Sequence, residues 1–223
     1  RARTLWEAKL KEDWKTVYSL EDPRTIGEAG EAEFVAWCQE HEPFRVHSYS
    51  VGDVLIEGDM GWVEVDCRTS VRKFAEAPIR DVHRWEKWSR IGGVWYPVPR
   101  KELDSSPASP AMRDVVLEAR LRERFESACE ARMARDWPRL YEMSDPDDHY
   151  VVSEPMFVDA LEIVEYVSYE IVWVEVLGEQ GRVRVAYTHK ATDPSLTKMP
   201  PKINIVNEEW VLRDNEWYLD LAR

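Results

Sequence analysis

The sequence predicts an α+β fold that occurs twice along the chain, as two tandem domains in which helices come first and an antiparallel sheet follows. Three observations lead to this prediction. A set of residues recurs in the same order about 120 positions later. Each copy changes from helical to alternating periodicity. A segment rich in Pro and Ser separates the copies.

The repeated residues keep one order and a nearly constant spacing. The motif D-W-x-x-x-Y begins at Asp13 and Asp136, G-x-x-G-x-V-x-V begins at Gly58 and Gly178, and W-x6-W-Y begins at Trp88 and Trp210. These pairs are 123, 120 and 122 positions apart. An offset that drifts by so little indicates a duplicated unit rather than coincidence.

Residues 104–111, between the copies, contain two Pro and three Ser and have no apolar periodicity. Proline interrupts a helix and favours extended backbone in the residue before it. We therefore expect this segment to be a linker between a first domain at 1–103 and a second at 112–223. Each is long enough to bury a core of its own.

Each copy is expected to open with helices. In the second copy four apolar residues recur every four positions and form one apolar stripe, namely Leu121, Phe125, Cys129 and Met133. Asp13 and Asp136 stand where a helix N-cap is expected, before short helices that begin with tryptophan.

A third helix of the first copy is predicted near 28–41, with Phe34 and Trp37 pointing inward.

The second part of each copy is predicted to be a meander of about four strands. Val63, Val65 and Cys67 alternate with polar residues, which is typical of a strand that buries one face. Hairpin turns are expected at 58–61 and at 92–93, and again at 178–181 and 214–215, because Gly, Asp and Asn tolerate positive φ.

Composition and motif searches exclude several classes of function. The 223 residues contain 30 Lys plus Arg and 43 Asp plus Glu, a net charge of −13, which argues against a nucleic-acid partner. No apolar run is long enough for a membrane span. The three cysteines are far apart and show no C-x-x-C spacing, so no zinc site is predicted. The sequence also contains no dinucleotide-binding, Walker, H-E-x-x-H or calcium-loop motif, so no other metal or cofactor is predicted.

The order of these motifs, helices followed by a meander in both copies, resembles the nuclear transport factor 2-like superfamily, also called cystatin-like, to which SnoaL-like cyclases belong. The resemblance implies two cone-shaped domains, each with a cavity between the inner helix faces and a curved sheet. Members include isomerases, dehydratases and cyclases as well as non-catalytic binding modules, so the fold leaves the function open.

We predict Tyr187 and His189 as binding residues, because alternation places both on the same sheet face as the inward valines. Tyr141 of the repeated motif is added as a third candidate. The simpler reading of His189 is a solvated strand-end residue, and most of the repeated aromatic residues are expected to be core.

The function favoured by the sequence is a non-catalytic tandem module that binds a small apolar ligand or a protein partner, in a bacterial protein. The alternative is a cofactor-free isomerase, dehydratase or cyclase that uses one of the two cavities. No matched set of Asp, His and Tyr recurs in both copies, which favours binding over catalysis. The compartment stays open, with the cell envelope or secretion favoured over the cytoplasm.

We also expect the two domains to pack on each other as an internal pseudo-dimer. On the strand at 170–177, one face is formed by Val172, Val174 and Val176. The other face is largely apolar as well, because it carries Ile171, Trp173 and Leu177. A strand that is apolar on both faces suits a sheet that is covered on both sides.

Overall fold

The computed structural model describes residues 1–24, 26, 30–74, 76–192 and 199–222. The chain divides into two compact units, Arg1–Ser109 and Pro110–Arg223. Each unit has helices followed by one four-stranded antiparallel sheet, with its strands paired in sequence order. The predicted α+β class is therefore confirmed.

The same order of elements occurs in both units. The first contains α1 (Ala2–Lys11), α2 (Trp14–Leu20), α3 (Glu31–His41), β1 (Phe44–Glu57), β2 (Met60–Val71), β3 (Arg80–Ile91) and β4 (Val94–Pro97). The second contains α4 (Val115–Ala134), α5 (Trp137–Glu142), α6 (Glu154–Glu162), β5 (Val164–Leu177), β6 (Gln180–Ala191), β7 (Lys202–Arg213) and β8 (Glu216–Leu219). Short 3-10 helices lie at Arg100–Ser105 and Pro146–Tyr150.

The two predicted aspartate caps are confirmed. The Asp13 carboxylate accepts a hydrogen bond from the Thr16 amide at 3.2 Å, and Asp136 accepts one from the Arg139 amide at 3.3 Å. These bonds satisfy amide groups at the first turn of α2 and α5 that have no partner inside the helix.

The orientation predicted for Trp37 is wrong. Helix α3 begins at Glu31, and Trp37 on it is 55% exposed and stacks on the ring of His41 at 5.3 Å. Cys38, the next residue, is the one that α3 buries, and Phe34 is half-buried. Because α3 has one narrow buried stripe, a shift of one position moves a side chain from the core to the surface. The predicted start at residues 28 and 29 lies outside the described residues.

The hairpins form where they were expected. Gly58 and Gly178 have φ of 58° and 64°, and the final turns use Gly92 and Gly93 in one unit and Asp214 and Asn215 in the other, all with positive φ. Two-residue turns with positive φ match the twist of the paired strands.

A β-bulge changes the face that we predicted for residues of β5. The register between β5 and β6 shifts between Ile171 and Trp173, and Val172 is 50% exposed. Ile171, expected on the outer face, packs against the core of its unit. One extra residue in a strand reverses the alternation beyond it, and a pattern of period two does not reveal it.

Each sheet buries one face against its own helices. Val65 in β2 and Val185 in β6 are fully buried. In the first unit Val65 shares a core with Leu5 and Trp6 of α1. In the second unit Val185 shares a core with Leu121 and Phe125 of α4. The helix stripe and the inward strand residues therefore form one core per unit, but Met133, the last residue of the predicted stripe, is 40% exposed and the prediction for it is wrong.

Part of the segment that we predicted as a linker is packed on the first unit. The Nζ atom of Lys87 donates hydrogen bonds to the carbonyl oxygens of Leu103 and Ser106, at 2.8 and 2.6 Å. The indole Nε1 of Trp62 donates to the carbonyl of Pro107 at 3.2 Å. Backbone carbonyls accept these bonds regardless of side chain, so the composition of the segment did not indicate them.

We expect Gly181→Ala to destabilise the protein more than Gly61→Ala. A Cβ on Gly181 would lie 2.5 Å from Leu121 Cδ2 and 2.9 Å from Trp217 Cζ3, whereas a Cβ on Gly61 would lie 3.1 Å from Trp95 Cζ3. Overpacking of this kind typically costs about 1–3 kcal/mol. The midpoint of urea unfolding measures both variants, and equal midpoints would show that Gly181 is not tightly enclosed.

Candidate functional site

Tyr187, the first of the predicted binding residues, lies in a buried polar cluster inside the second unit. Its hydroxyl donates a hydrogen bond to Glu208 Oε1 at 2.7 Å and accepts one from Arg132 Nη1. Arg132 Nη2 lies 3.0 Å from the same Glu208 oxygen, and the two side chains are only 6% and 13% exposed. We call Arg132, Tyr187 and Glu208 the polar triad.

Regular structure fixes each member of the polar triad. Arg132 is in the last turn of α4, three residues before the left-handed cap residue Arg135. Tyr187 is buried on the inward face of β6, and Glu208 on β7 pairs with Val183 of β6. The end of the helix and two neighbouring strands therefore converge on one point.

Aromatic and sulfur groups close the space around the triad. The guanidinium carbon of Arg132 lies 5.0 Å from the ring centre of Tyr187 and 5.4 Å from that of Tyr166. The two rings meet edge to face at 5.2 Å, and Cys129 Sγ lies 3.8 Å from the Tyr187 hydroxyl. The cation is thus held by an ion pair, a hydrogen bond and two ring faces.

Burial dominates the electrostatics of this cluster. It raises the pKa of Tyr187, and the nearby Glu208 carboxylate raises it further. It also raises the pKa of the Cys129 thiol to about 12. For Arg132, burial lowers the pKa, but the Glu208 carboxylate acts together with Tyr187, Cys129 and Tyr166 to raise it, and the pKa lies above its usual value. The tyrosine and the thiol therefore stay protonated at neutral pH, which suits packing better than proton transfer.

The other two predicted residues lie in different surroundings. The Tyr141 hydroxyl donates to the Val152 carbonyl at 2.8 Å, and its ring stacks on His149 at 4.1 Å. His189 is half-buried on β6, opposite Tyr166 and Lys202 in the ladders. Neither has a described hydrogen bond to the polar triad, and a binding role for Tyr187, His189 or Tyr141 stays a prediction.

The first unit carries different side chains at the same places. The caps Glu12 and Arg135 end α1 and α4 with the same left-handed conformation, and Gly61 pairs with Trp88 as Gly181 pairs with Trp210. When the units are aligned on these features, five residues of the first unit occupy positions equivalent to the cluster of the second unit. The equivalent pairs are Cys67 and Tyr187, Val46 and Tyr166, Trp6 and Cys129, Lys9 and Arg132, and Glu86 and Glu208.

A cavity of about 230 Å³ lies at this place in the first unit. The first unit has Cys67 and Val46 where the second unit has two tyrosines, so its strand side chains fill less of the space between helix and sheet. The described lining residues are Trp6, Lys9, Trp14, Glu42, Phe44, Val46, Cys67, Thr69, Val82 and Arg84. Three aromatic rings and two valines make its wall largely apolar, which is typical of small-molecule sites.

The charges of this cavity are not paired as they are in the second unit. The Trp6 indole donates to Glu86 Oε2 at 2.8 Å, and Arg84 Nη2 lies 2.8 Å from Glu86 Oε1. Lys9 lies over the Trp6 ring at 5.1 Å and, within the described part of the chain, has no carboxylate within 4.0 Å of its Nζ. A half-buried ammonium without an ion pair is open to an anionic partner.

The charge of Lys9 also affects the pKa of the Glu21 carboxyl group. Burial raises the pKa of Glu21 above its usual value, the Lys9 ammonium lowers it, and the neighbouring Glu86 raises it again. The acid that lines the cavity is Glu42, whose carboxylate accepts a hydrogen bond from the Phe44 amide at 3.3 Å.

The sequence contained a signal for these residues that our motif comparison did not use. Lys9 and Arg132 are 123 positions apart, and Glu86 and Glu208 are 122 apart, which are the offsets of the repeated tryptophan motifs. A charge-by-charge comparison at those offsets would have found an acid and a base at the same two places in each copy.

The described residues include no group of three or more His, Cys, Asp or Glu placed to hold a metal ion. Among them, no helix is both long and apolar enough to cross a membrane.

Comparisons with known proteins give structural similarities only. No family model matches the chain, and no curated protein matches it. One similar solved structure is a SEC-C motif containing protein from Rhodopseudomonas palustris, with 19% identity, coverage of 42% of this chain and 69% of that chain, and a TM-score of 0.32. Another is an Ntf2-like protein involved in plasmid conjugation, with 10% identity, coverage of 79% and 75%, and a TM-score of 0.32. Similarities at this level support no conclusion about function.

We expect Arg132→Met to be far more damaging than Lys9→Met. Removing the arginine leaves the buried Glu208 carboxylate without its counter-ion, which typically costs about 3–5 kcal/mol. Lys9 has no ion pair to lose, so its replacement is expected to change the free energy of unfolding by less than about 1 kcal/mol. Urea unfolding measures both, and a similar loss in the two variants would contradict this distinction.

We expect Glu21→Gln to stabilise the protein more at pH 7 than at about pH 4. The pKa of Glu21 is raised in the folded state, so the folded protein binds this proton more readily than the unfolded chain. Stability is therefore lost as pH rises from the unfolded-state pKa through the folded-state pKa, and glutamine removes that loss. Melting temperatures at the two pH values measure it, with the exposed Glu33→Gln as control. An equal effect of Glu21→Gln at both pH values would contradict the assignment.

Proposed function

We propose that the protein is a binding module, and that its first unit binds a small, largely apolar ligand in the cavity beside Lys9. The observation that carries this function is the difference between the interiors of the two units. The second unit fills the space with two tyrosines and an arginine, whereas the first has a cavity of about 230 Å³ at the same place.

The wall of the cavity indicates the kind of ligand. Trp6, Trp14 and Phe44 line the cavity and would pack against an aromatic or other flat apolar group. Lys9 supplies a charge that no described carboxylate neutralises at close range, so a ligand with one anionic end would complete the site. The second cation of the lining, Arg84, is already paired with Glu86.

We propose further that the two units are tandem copies of a nuclear transport factor 2-like domain, at 1–103 and 112–223. The repeated caps, the Gly–Trp pairs in both ladders and the hairpins support this. That the two domains pack on each other stays a prediction.

An enzyme that needs no cofactor is the alternative, and it would require a base facing the ligand. Of the described lining residues, Glu42 alone carries a carboxylate, and that group accepts a hydrogen bond from the Phe44 amide. This arrangement gives catalysis no support beyond that for binding.

Titration with 2-naphthoate and with neutral 2-naphthalenemethanol, followed by tryptophan fluorescence, tests the ligand site. We expect both probes to bind and Cys67→Tyr, which copies the second unit, to weaken both by at least about tenfold. Arg68→Tyr adds the same ring to the adjacent, exposed position of β2 and serves as the matched control. Unchanged binding in Cys67→Tyr, or no binding of either probe to the unaltered protein, would contradict the ligand site.

The role of Lys9 has its own readout in the same titration. We expect Lys9→Met to weaken 2-naphthoate by about tenfold and to leave 2-naphthalenemethanol unchanged, since only the first carries a charge. Lys11→Met removes an exposed ammonium from the same helix and should affect neither probe. Equal losses for the two probes would show that Lys9 contributes packing and not charge.

A further inference from the structure

A second hollow lies next to the cavity beside Lys9, where β1 begins and β2 ends. It has a volume of about 570 Å³, and Phe44 and Thr69 line both spaces. We call this second hollow the outer pocket. Because two residues belong to both walls, a ligand that passes Phe44 and Thr69 would reach both spaces. The apolar residues among its described lining are Phe44, Val71, Phe74, Ala77 and Pro78.

The size of the cavity gives a ligand reason to extend into the outer pocket. Sites for small molecules usually have volumes of about 300–1,000 Å³. The cavity alone, at about 230 Å³, is below this range, whereas the cavity and the outer pocket together are within it. A ligand of ordinary size that enters the cavity therefore has to leave it again at one end.

The outer pocket exposes large apolar side chains at the end of the first sheet. Phe44, Val71 and Phe74 are 51%, 36% and 68% exposed. Phe44 pairs with Val71 in the ladder, and the equivalent pair of the second unit is Val164 and Ala191. The first unit thus has smaller strand side chains than the second inside, but larger apolar ones at the end of the same strands. An exposed apolar cluster of this kind is typical of a binding surface.

Hydrogen bonds hold both phenylalanines of the outer pocket in place. The Phe74 carbonyl accepts a hydrogen bond from the Ala77 amide at 3.0 Å. Arg72 Nε donates to the Phe44 carbonyl at 3.1 Å, and the Arg72 guanidinium carbon lies 5.7 Å from the ring centre of Trp14, which lines the cavity. The same arginine therefore contacts the walls of both spaces.

The position of Lys9 indicates which end of a ligand reaches the outer pocket. In the second unit its equivalent, Arg132, lies over the ring of Tyr166, whose own equivalent is Val46. We therefore place the Lys9 ammonium level with Val46, whereas Phe44, two positions earlier, is the first residue of β1. In the opposite direction the closed core of the unit fills the space. An anion paired with Lys9 thus has its other end directed toward Phe44.

We propose that the ligand of the first unit is an elongated aryl carboxylate, with an alkyl chain on the side of the ring opposite the carboxylate. The carboxylate pairs with Lys9, the ring lies in the cavity, and the chain passes between Phe44 and Thr69 to pack against Phe74. The two charged residues of the outer pocket, Glu76 and Arg80, have opposite signs, so a neutral chain suits it. This inference rests on the binding function proposed for the cavity and specifies the class of ligand.

Two isomeric probes test the extension, with 2-naphthoate as the reference. The probe 6-butyl-2-naphthoate carries its chain at the end of the ring system away from the carboxylate, and 3-butyl-2-naphthoate carries the same chain beside it. In fluorescence titrations of the full chain we expect the 6-butyl probe to bind at least about tenfold more tightly than 2-naphthoate, because the butyl group is buried. The 3-butyl isomer should show no such gain, and an equal gain would overturn the outer pocket as the site of the chain.

A substitution in the outer pocket separates this inference from the function on which it rests. Phe74→Ser should remove the gain of the 6-butyl probe and leave 2-naphthoate unchanged, because Phe74 lines the outer pocket and not the cavity. Ile203→Ser changes a residue of the second unit that is also 68% exposed, and should leave all three probes unchanged. If 2-naphthoate binds but the butyl gain is missing or persists in Phe74→Ser, the extension fails and the ligand site stands. If no probe binds, both fail.

Methyl NMR supplies a measurement that needs no variant. Val71 lines the outer pocket and not the cavity. Its methyl resonances should shift on addition of 6-butyl-2-naphthoate and stay in place with 2-naphthoate. Methyl resonances of Val71 that stay in place with both probes would contradict a chain bound in the outer pocket.

Discussion

Each unit must cover one apolar face of a four-stranded sheet with the helix that precedes it, and the rest of the structure depends on this constraint. Val65 and Val185 are fully buried because α1 and α4 lie over them. Both helices end at a cap residue with the same left-handed conformation, and in each unit a short helix that begins with tryptophan follows this cap. The helix therefore packs on the sheet of its own unit in both cases, and the side chains that it places there differ between the units.

Exchange of side chains between helix and strand makes the two interiors different. The second unit places a small residue, Cys129, on the helix and a large one, Tyr187, on the strand. The first unit has Trp6 on the helix and Cys67 on the strand, and Val46 stands where the second unit has Tyr166. Protein interiors are packed closely, so an exchange that does not conserve volume leaves a cavity.

The same exchange redistributes the charges. In the second unit the Glu208 carboxylate balances the charge of Arg132 and accepts a hydrogen bond from the neutral Tyr187 hydroxyl. In the first unit the indole of Trp6 takes one oxygen of Glu86 and Arg84 takes the other. The Lys9 ammonium is left beside the cavity, and this is why we assign an anionic end to the ligand.

The sequence predicted the parts of the fold that depend on local periodicity and on capping. The Asp13 and Asp136 caps, the hairpin turns and the inward valines of β2 and β6 all follow from residue type and spacing. It did not predict the bulge at Val172 or the outward position of Trp37, because a slip of one residue leaves the composition unchanged.

Less of the candidate site was predictable. Tyr187 was placed inward by alternation, but Arg132 and Glu208 lie 55 positions before it and 21 after it in the chain, and only the folded sheet brings them together. The cavity itself lies where Cys67 and Val46 are too small to fill the volume that two tyrosines occupy in the second unit. No residue pattern predicts a cavity, so the sequence did not distinguish the interior of the first unit from that of the second.

Methyl NMR of the full chain with labelled valines tests the central claim most directly, since both interiors are observed in one molecule. Val46 and Val82 line the cavity of the first unit, whereas Val183 and Val185 are fully buried in the second. On addition of 2-naphthoate we predict that the methyl resonances of Val46 and Val82 shift and saturate together, while those of Val183 and Val185 stay in place. Shifts confined to Val183 and Val185, or no shift in either pair, would contradict an open first unit and a filled second one.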